Sequence, residues 1–166
     1  MVSDTITWIK MKQIKTKYLV VIALLVFILI AFFAFSFVPQ SEVPKKEALL
    51  FKDPECGCCV VHASYLEQNN FSVTINKTKE MQIIKEKYGI PIEVQSCHTT
   101  IIGNYFVEGH VPIEAINKLL AEQPDIDGVA LPEMPAGSPG MPGIKKEPFT
   151  IYSIKNGEIV GVFMVL

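Results

Sequence analysis

Hydrophobic residues fall along this chain in three kinds of pattern. From Tyr18 to Val38 they are nearly continuous, 21 positions without a charge. About 20 apolar residues are enough to cross a bilayer core as a helix. The run is longer than the roughly 7–15 apolar residues of a secretory signal core. It therefore predicts a retained transmembrane anchor over 18–38, with a cleaved signal as the alternative. Beyond it the pattern becomes short apolar runs and amphipathic stretches, separated by turn residues. Ala48-Leu49-Leu50-Phe51, ended by Asp53-Pro54, predicts a buried strand. Residues 59–68 suit a helix with Val61, Tyr65 and Leu66 on one side and Asn69-Asn70 as its stop. Phe71 to Ile75 alternates apolar and polar positions, which is a strand signal.

Residues 79–88 carry Met81, Ile84 and Tyr88 at helical spacing, with Gly89 placed to cap and Pro91 beyond it. Two β-rich runs, 99–102 and 105–107, flank Gly103-Asn104 and predict a two-residue hairpin. Pro112 opens a helix bearing Ile113, Ile116, Leu119 and Leu120, closed by Gln123-Pro124. Residues 125–148 hold five of the eleven prolines and are expected to lack regular structure. A second hairpin, 149–154 and 159–166 about Asn156-Gly157, closes the chain. A βαβ unit followed by ββα is the thioredoxin-like α/β order, here with an extra C-terminal β-hairpin and one transmembrane helix ahead of it.

Charge orients that arrangement. Lys10, Lys12, Lys15 and Lys17 precede the apolar run, whereas Pro39-Gln40-Ser41-Glu42 follows it. The positive-inside rule puts 1–17 in the cytoplasm. Residues 39–47 then read as a linker and 48–166 as an extracytoplasmic, periplasmic domain on the inner (cell) membrane. That compartment permits disulfides. A net charge of -2 over 166 residues leaves no basic footprint for nucleic acid.

The chemistry is concentrated in four cysteines. Cys56, Cys58 and Cys59 fall within four residues at the expected first strand-to-helix junction, and Cys97 stands beside His98. Thiolates are soft donors suited to Cu(I) and Zn(II), and Cys56 with Cys59 also forms the C-x-x-C spacing of redox dithiols. The cluster thus reads as a metal nest or as a dithiol accompanied by further thiols. Cysteines in the first turn of a helix feel its positive end, which favours thiolate for either purpose. Cys97 precedes the third strand, a place expected to lie across from the C-x-x-C, and a fourth convergent sulfur favours metal.

Other donors are less defined. His62 lies a helical turn from Cys58 and Cys59 and reads as a solvated helix histidine before it reads as a ligand. His98 is a candidate ligand or a hydrogen-bond partner of one, and His110 a helix-entry residue. Met134 and Met141, in a Gly/Pro-rich loop, are candidate thioether ligands or gap-fillers. Val60 after Cys59, where c-type haem attachment needs histidine, excludes haem.

Four motifs occur in order: Asp53-Pro54-Glu55-Cys56-Gly57-Cys58-Cys59, Ser96-Cys97-His98-Thr99, Glu108-Gly109-His110-Val111-Pro112, and the stretch from Met134 to Met141. Together they resemble the CopG-type copper-resistance family of exported metal-binding proteins, over 48–166. The resemblance implies a thioredoxin-like fold, copper held through Cys56, Cys58, Cys59 and Cys97, and a role in copper tolerance, with copper oxidoreductase activity as a further implication. Family members commonly carry an aromatic residue where this chain has His62, a departure that strengthens His62 as a ligand candidate. The leading expectation is a membrane-anchored Cu(I)-binding protein that exchanges copper with an export system. The alternatives are a thiol–disulfide oxidoreductase using Cys56 and Cys59, and a structural zinc site. Zinc ranks behind because zinc ribbons bring two separated C-x-x-C knuckles and this chain has one.

Overall fold

The structure, a computed structural model, describes residues 18–19, 22–33 and 44–166. It divides into two compact units, 1–43 and 44–166. In the first, residues 22–33 are helical, and Leu25, Phe27, Leu29 and Ile30 are each more than half exposed. Among the described residues no helix is long and apolar enough to cross a membrane. The expected span 18–38 and tail 1–17 lie partly or wholly outside the described residues.

The second unit begins with β1 (Lys46–Lys52), so the expected linker ends in strand. β1 buries Ala48, Leu50 and Phe51 and leads into α1 (Gly57–Gln68). Cys56 caps α1: its sulfur accepts the Cys59 N–H at 3.3 Å, satisfying one of the amides a helix start leaves open. The buried stripe of α1 is Cys59, His62, Ala63 and Leu66, the i, i+3, i+4, i+7 set of one helix face. Val60 and Val61 point outward instead. The expected apolar face through Val61 is therefore corrected by about a quarter turn, which carries His62 inside.

α1 returns the chain to β2 (Phe71–Lys77), parallel to β1. After α2 (Met81–Lys87) and a short 3-10 turn, β3 (His98–Ile102) lies antiparallel to β1 on its other side. β4 (Tyr105–Glu108) pairs back on β3 through Gly103-Asn104, and α3 (Ile113–Glu122) follows, burying Ala115, Ile116 and Leu119.

The proline-rich region departs from expectation. Gly128–Ala130 forms β5, parallel to β4 with Val129 opposite Val107. This strand receives the C-terminal hairpin, β6 (Thr150–Lys155) and β7 (Glu158–Val165). The result is one seven-stranded mixed sheet, ordered β2-β1-β3-β4-β5-β6-β7. Asn156 and Gly157 both have positive φ, as the tight β6–β7 turn requires. Alternation along β4 sends Val107 to a core with Leu66, Phe71, Ile116 and Leu119, and Phe106 to a smaller core with Ile90, Val94 and Ile154.

Candidate metal centre

The loop between β1 and α1 and the residue before β3 meet at one end of the sheet, because β1 and β3 are paired neighbours. Their sulfurs converge accordingly: the Sγ atoms of Cys56, Cys58, Cys59 and Cys97 all lie within 4.8 Å of one another. Cys56 and Cys59 form a disulfide, with Cα atoms 5.6 Å apart, and Cys58 and Cys97 are free thiols. Cys58 Sγ is 3.5 Å from Cys56 Sγ, and Cys59 Sγ sits 3.7 Å from the Cys97 carbonyl.

The segment carrying Cys97 is pinned by a buried ion pair. Glu108, on β4, pairs with Lys85 of α2, and its carboxylate also accepts the Ser96 N–H and the Thr99 hydroxyl, each at 2.6 Å. Burial pushes the Glu108 carboxyl upward, and the Lys85 ammonium opposes that. Gly109 N–H adds a bond to the His98 carbonyl at 3.0 Å. On the other side, the buried Lys52 ammonium donates to the carbonyls of Asp53 (2.7 Å) and Pro54 (3.3 Å), bracing the turn into the cysteines.

All three histidines of the chain are in the same place. His62, His98 and His110 are fully buried, with ring centroids 4.8–5.2 Å apart. His62 is thus not the solvated helix residue expected, and His110 is more than a helix entry. A main-chain carbonyl only accepts, so the ring nitrogens beside carbonyls carry protons. His62 Nε2–H donates to the Val111 carbonyl at 3.2 Å, leaving His62 Nδ1 to accept from His98 Nε2–H at 2.9 Å. His98 Nδ1 is then bare, 3.2 Å from Cys97 Sγ. Separately, His110 Nδ1–H donates to the Pro139 carbonyl at 2.6 Å, leaving His110 Nε2 bare and 3.1 Å from the same sulfur.

Electrostatics keep this cluster neutral. Burial drives His62 down to about 4, with the neighbouring His110 adding to the shift and the Val111 carbonyl resisting it. Burial likewise takes His98 well below the ordinary imidazole value, assisted by His62, His110, Lys85 and Lys52, and it lowers His110. The Cys97 thiol is pushed up to about 12 by burial and then by Cys58 beside it.

The proline-rich loop roofs the site. Gly140, at φ +87°, lies so close to α1 that a Cβ there would stand 2.8 Å from the main-chain nitrogen of His62. The loop braces itself through Ser138, whose carbonyl accepts the Met141 N–H at 2.8 Å. Met134 and Met141, the candidate thioethers, both belong to this loop and are partly buried. The signal missed for His110 was its distance from Cys97, 13 residues along two strands that fold back on each other; the spacing of His62 already put it one helical turn from Cys58 and Cys59, and what that spacing did not give was the burial of its face.

The chain is thus a mixed α/β protein with a candidate soft-metal centre built from all its thiols and imidazoles. The family described as "Protein of unknown function, DUF411" matches residues 94–141. Two solved structures of copper resistance protein CopG, Form 1 and Form 2, each share 36% sequence identity with it, covering 74% of this chain and 98% of theirs at a TM-score of 0.68. No curated protein sequence matches significantly. This chain belongs to the CopG-type copper-resistance family.

Proposed function

We propose that this is a membrane-tethered, extracytoplasmic copper-handling protein of thioredoxin-like fold. When an external dithiol reductant gives two electrons to the Cys56–Cys59 bond and is itself oxidised to a disulfide, Cys56, Cys58, Cys59 and Cys97 become a thiolate nest for Cu(I). The observation that carries this is the convergence of four sulfurs within 4.8 Å, one of them from the segment just before β3. A dithiol enzyme needs only two. Soft thiolates select Cu(I) over harder ions, and the solved relatives are copper-resistance proteins. The β1–α1–β2 parallel unit followed by β3–β4–α3 supports the fold reading. The uncharged run 18–38 after four lysines supports an anchor with a cytoplasmic N-terminus. Anchoring would keep the site at the membrane face, where copper leaving the cell through an export system passes.

The test is a Cu(I) titration of the full-length chain, in detergent and fully reduced, against a chromogenic chelator. Tight binding that Cys97→Ser weakens by at least about tenfold, roughly 1.4 kcal/mol, is expected. Weak binding indifferent to that substitution would remove the proposal.

The Cys56–Cys59 disulfide favours a second reading, a thiol–disulfide or copper oxidoreductase in which this pair cycles. It requires disulfide-reductase turnover by the metal-free chain, lost in Cys56→Ser. A structural zinc site is a third reading, separated from both by elemental analysis of protein from unsupplemented cells.

A further inference from the structure

The smaller of the two cores stops short at one edge of the sheet. Ile154 lies in it and Tyr152 packs against it. Their cross-strand partners on β7, Ile159 and Val162, stand on the same face, yet they are 42% and 56% exposed. Val160 and Val165 are more than half exposed beside them. From Ile159 to Leu166 the chain carries no charged side chain. These four side chains leave on the order of 400 Å² of apolar surface in water, the size of patch that marks an interaction site.

β7 is also an edge. It pairs with β6 on one side and, among the described residues, with no strand on the other. Its outer row of N–H and C=O groups is offered to whatever lies alongside. The opposite edge of the sheet, β2, is guarded: Ser72, Thr74 and Asn76 alternate along it and Lys77 ends it. Bulges at Val160 and Phe163 bend β7 but bring it no charge. Between them, a Cβ on Gly161 would meet nothing within 4 Å, which leaves room for a second main chain to come close.

Charge selects the partner. Ile154 faces the smaller core, so its neighbour Lys155, and Glu158 opposite Lys155, lie on the other face of the hairpin. That face also holds Phe149, which is bonded to Leu166 through both main chains at 2.7 and 3.0 Å. Lys145 sits over the Phe149 ring at 4.6 Å. β7 thus has a carboxylate at its start and an ammonium group beside its end, on one face. A second β7 laid antiparallel brings each carboxylate toward the other copy's ammonium group, whereas a parallel one sets like against like. Such pairs fix orientation more than affinity.

We propose that two copies of this chain join β7 to β7, antiparallel about a two-fold axis near Gly161 and Val162, merging their sheets into one. The pairing sets Ile159 and Val162 of each copy against those of the other and so completes the smaller core. It uses the same patch on both copies and closes at a dimer, whereas β7 against β2 would propagate without end. With the main chain included it removes about 1,000 Å² from water, the lower end of specific interfaces, so the dimer is reversible. β7 ends the strand order on the side away from β1, and the cysteines take no part in the contact.

The experiment is sedimentation velocity of the full-length chain in a density-matched detergent, from micromolar to sub-millimolar concentration. A reversible monomer–dimer equilibrium is expected. Val162→Lys should weaken it at least about tenfold with the unfolding midpoint held, since a charge on an edge strand blocks pairing. Lys145→Glu should weaken it several-fold, and Glu158→Lys added to that chain should restore it. Hydrogen exchange needs no substitution: amides of 159–165 should slow as the dimer fills. A chain monomeric throughout the range overturns the proposal, as does a dimer indifferent to Val162→Lys or a charge swap that restores nothing. A monomer whose β7 amides are protected only in lipid nanodiscs assigns the edge to the bilayer and equally overturns it.

Discussion

His62 Nδ1 accepts a hydrogen bond from His98 Nε2 at 2.9 Å, and that contact connects the core face of α1 to the sulfur of Cys97. Replacing His62 with Phe keeps an aromatic ring there but strands the buried His98 N–H. A loss of about 1–3 kcal/mol in urea unfolding is expected. His62→Gln, which retains an acceptor, should lose less. Equal stability of wild type and His62→Phe would show that the relay contributes nothing to the fold.

The metal-free chain should be acid-sensitive in a defined window. Burial lowers His62 to about 4 and His98 in the same direction, while in the unfolded chain both titrate near 6.5. Below about 6.5 the unfolded state therefore binds protons that the folded state refuses. Stability is fullest above that pH and falls as pH drops toward 4, by up to about 1.4 kcal/mol per pH unit for each histidine. Chemical denaturation at pH 7.5, 6 and 5 checks the slope, which His62→Gln should flatten.

The Lys85–Glu108 pair holds the Ser96–Cys97 segment, so breaking one side should do more than breaking both. Lys85→Met leaves a buried carboxylate uncompensated and is expected to cost about 3–5 kcal/mol. Lys85→Met with Glu108→Gln keeps an acceptor for the Ser96 N–H and should recover much of that loss. Thermal unfolding of the two variants decides it, and a double variant no better than the single one contradicts it.

Gly140 tests the roof. Alanine at φ +87°, with its methyl 2.8 Å from the main-chain nitrogen of His62, forces the loop off α1. The strain is about 1–3 kcal/mol. Faster alkylation of Cys58 and Cys97 by a thiol reagent is expected in Gly140→Ala, with the sheet intact by circular dichroism.

Much of this was legible in the chain because it rests on local rules. The Gly103-Asn104 and Asn156-Gly157 turns announce their hairpins, and the step before β3 places Cys97 opposite α1. What stayed hidden depends on tertiary pairing. β5 is three residues among prolines, with no pattern of its own; it is a strand because β4 and β6 flank it. Without β5 the docking of the last hairpin was illegible too. Val61, Tyr65 and Leu66 suggested an apolar face of which the fold buries Leu66, half-buries Tyr65 and leaves Val61 outside, and the buried stripe runs through Cys59 and His62. His110 sits beside Pro112, which reads as a helix start; its ring meets Cys97 only because β3 and β4 return to the same edge.

The central claim is that Cys97 completes a copper nest with the three cysteines at the start of α1, Cys56, Cys58 and Cys59. Copper-edge X-ray absorption on the reduced full-length chain, loaded anaerobically with Cu(I), tests it most directly. A first shell dominated by sulfur, which loses sulfur in Cys97→Ser, is the expected result. A shell of nitrogen or oxygen, or a sulfur shell that Cys97→Ser leaves unaltered, would contradict it.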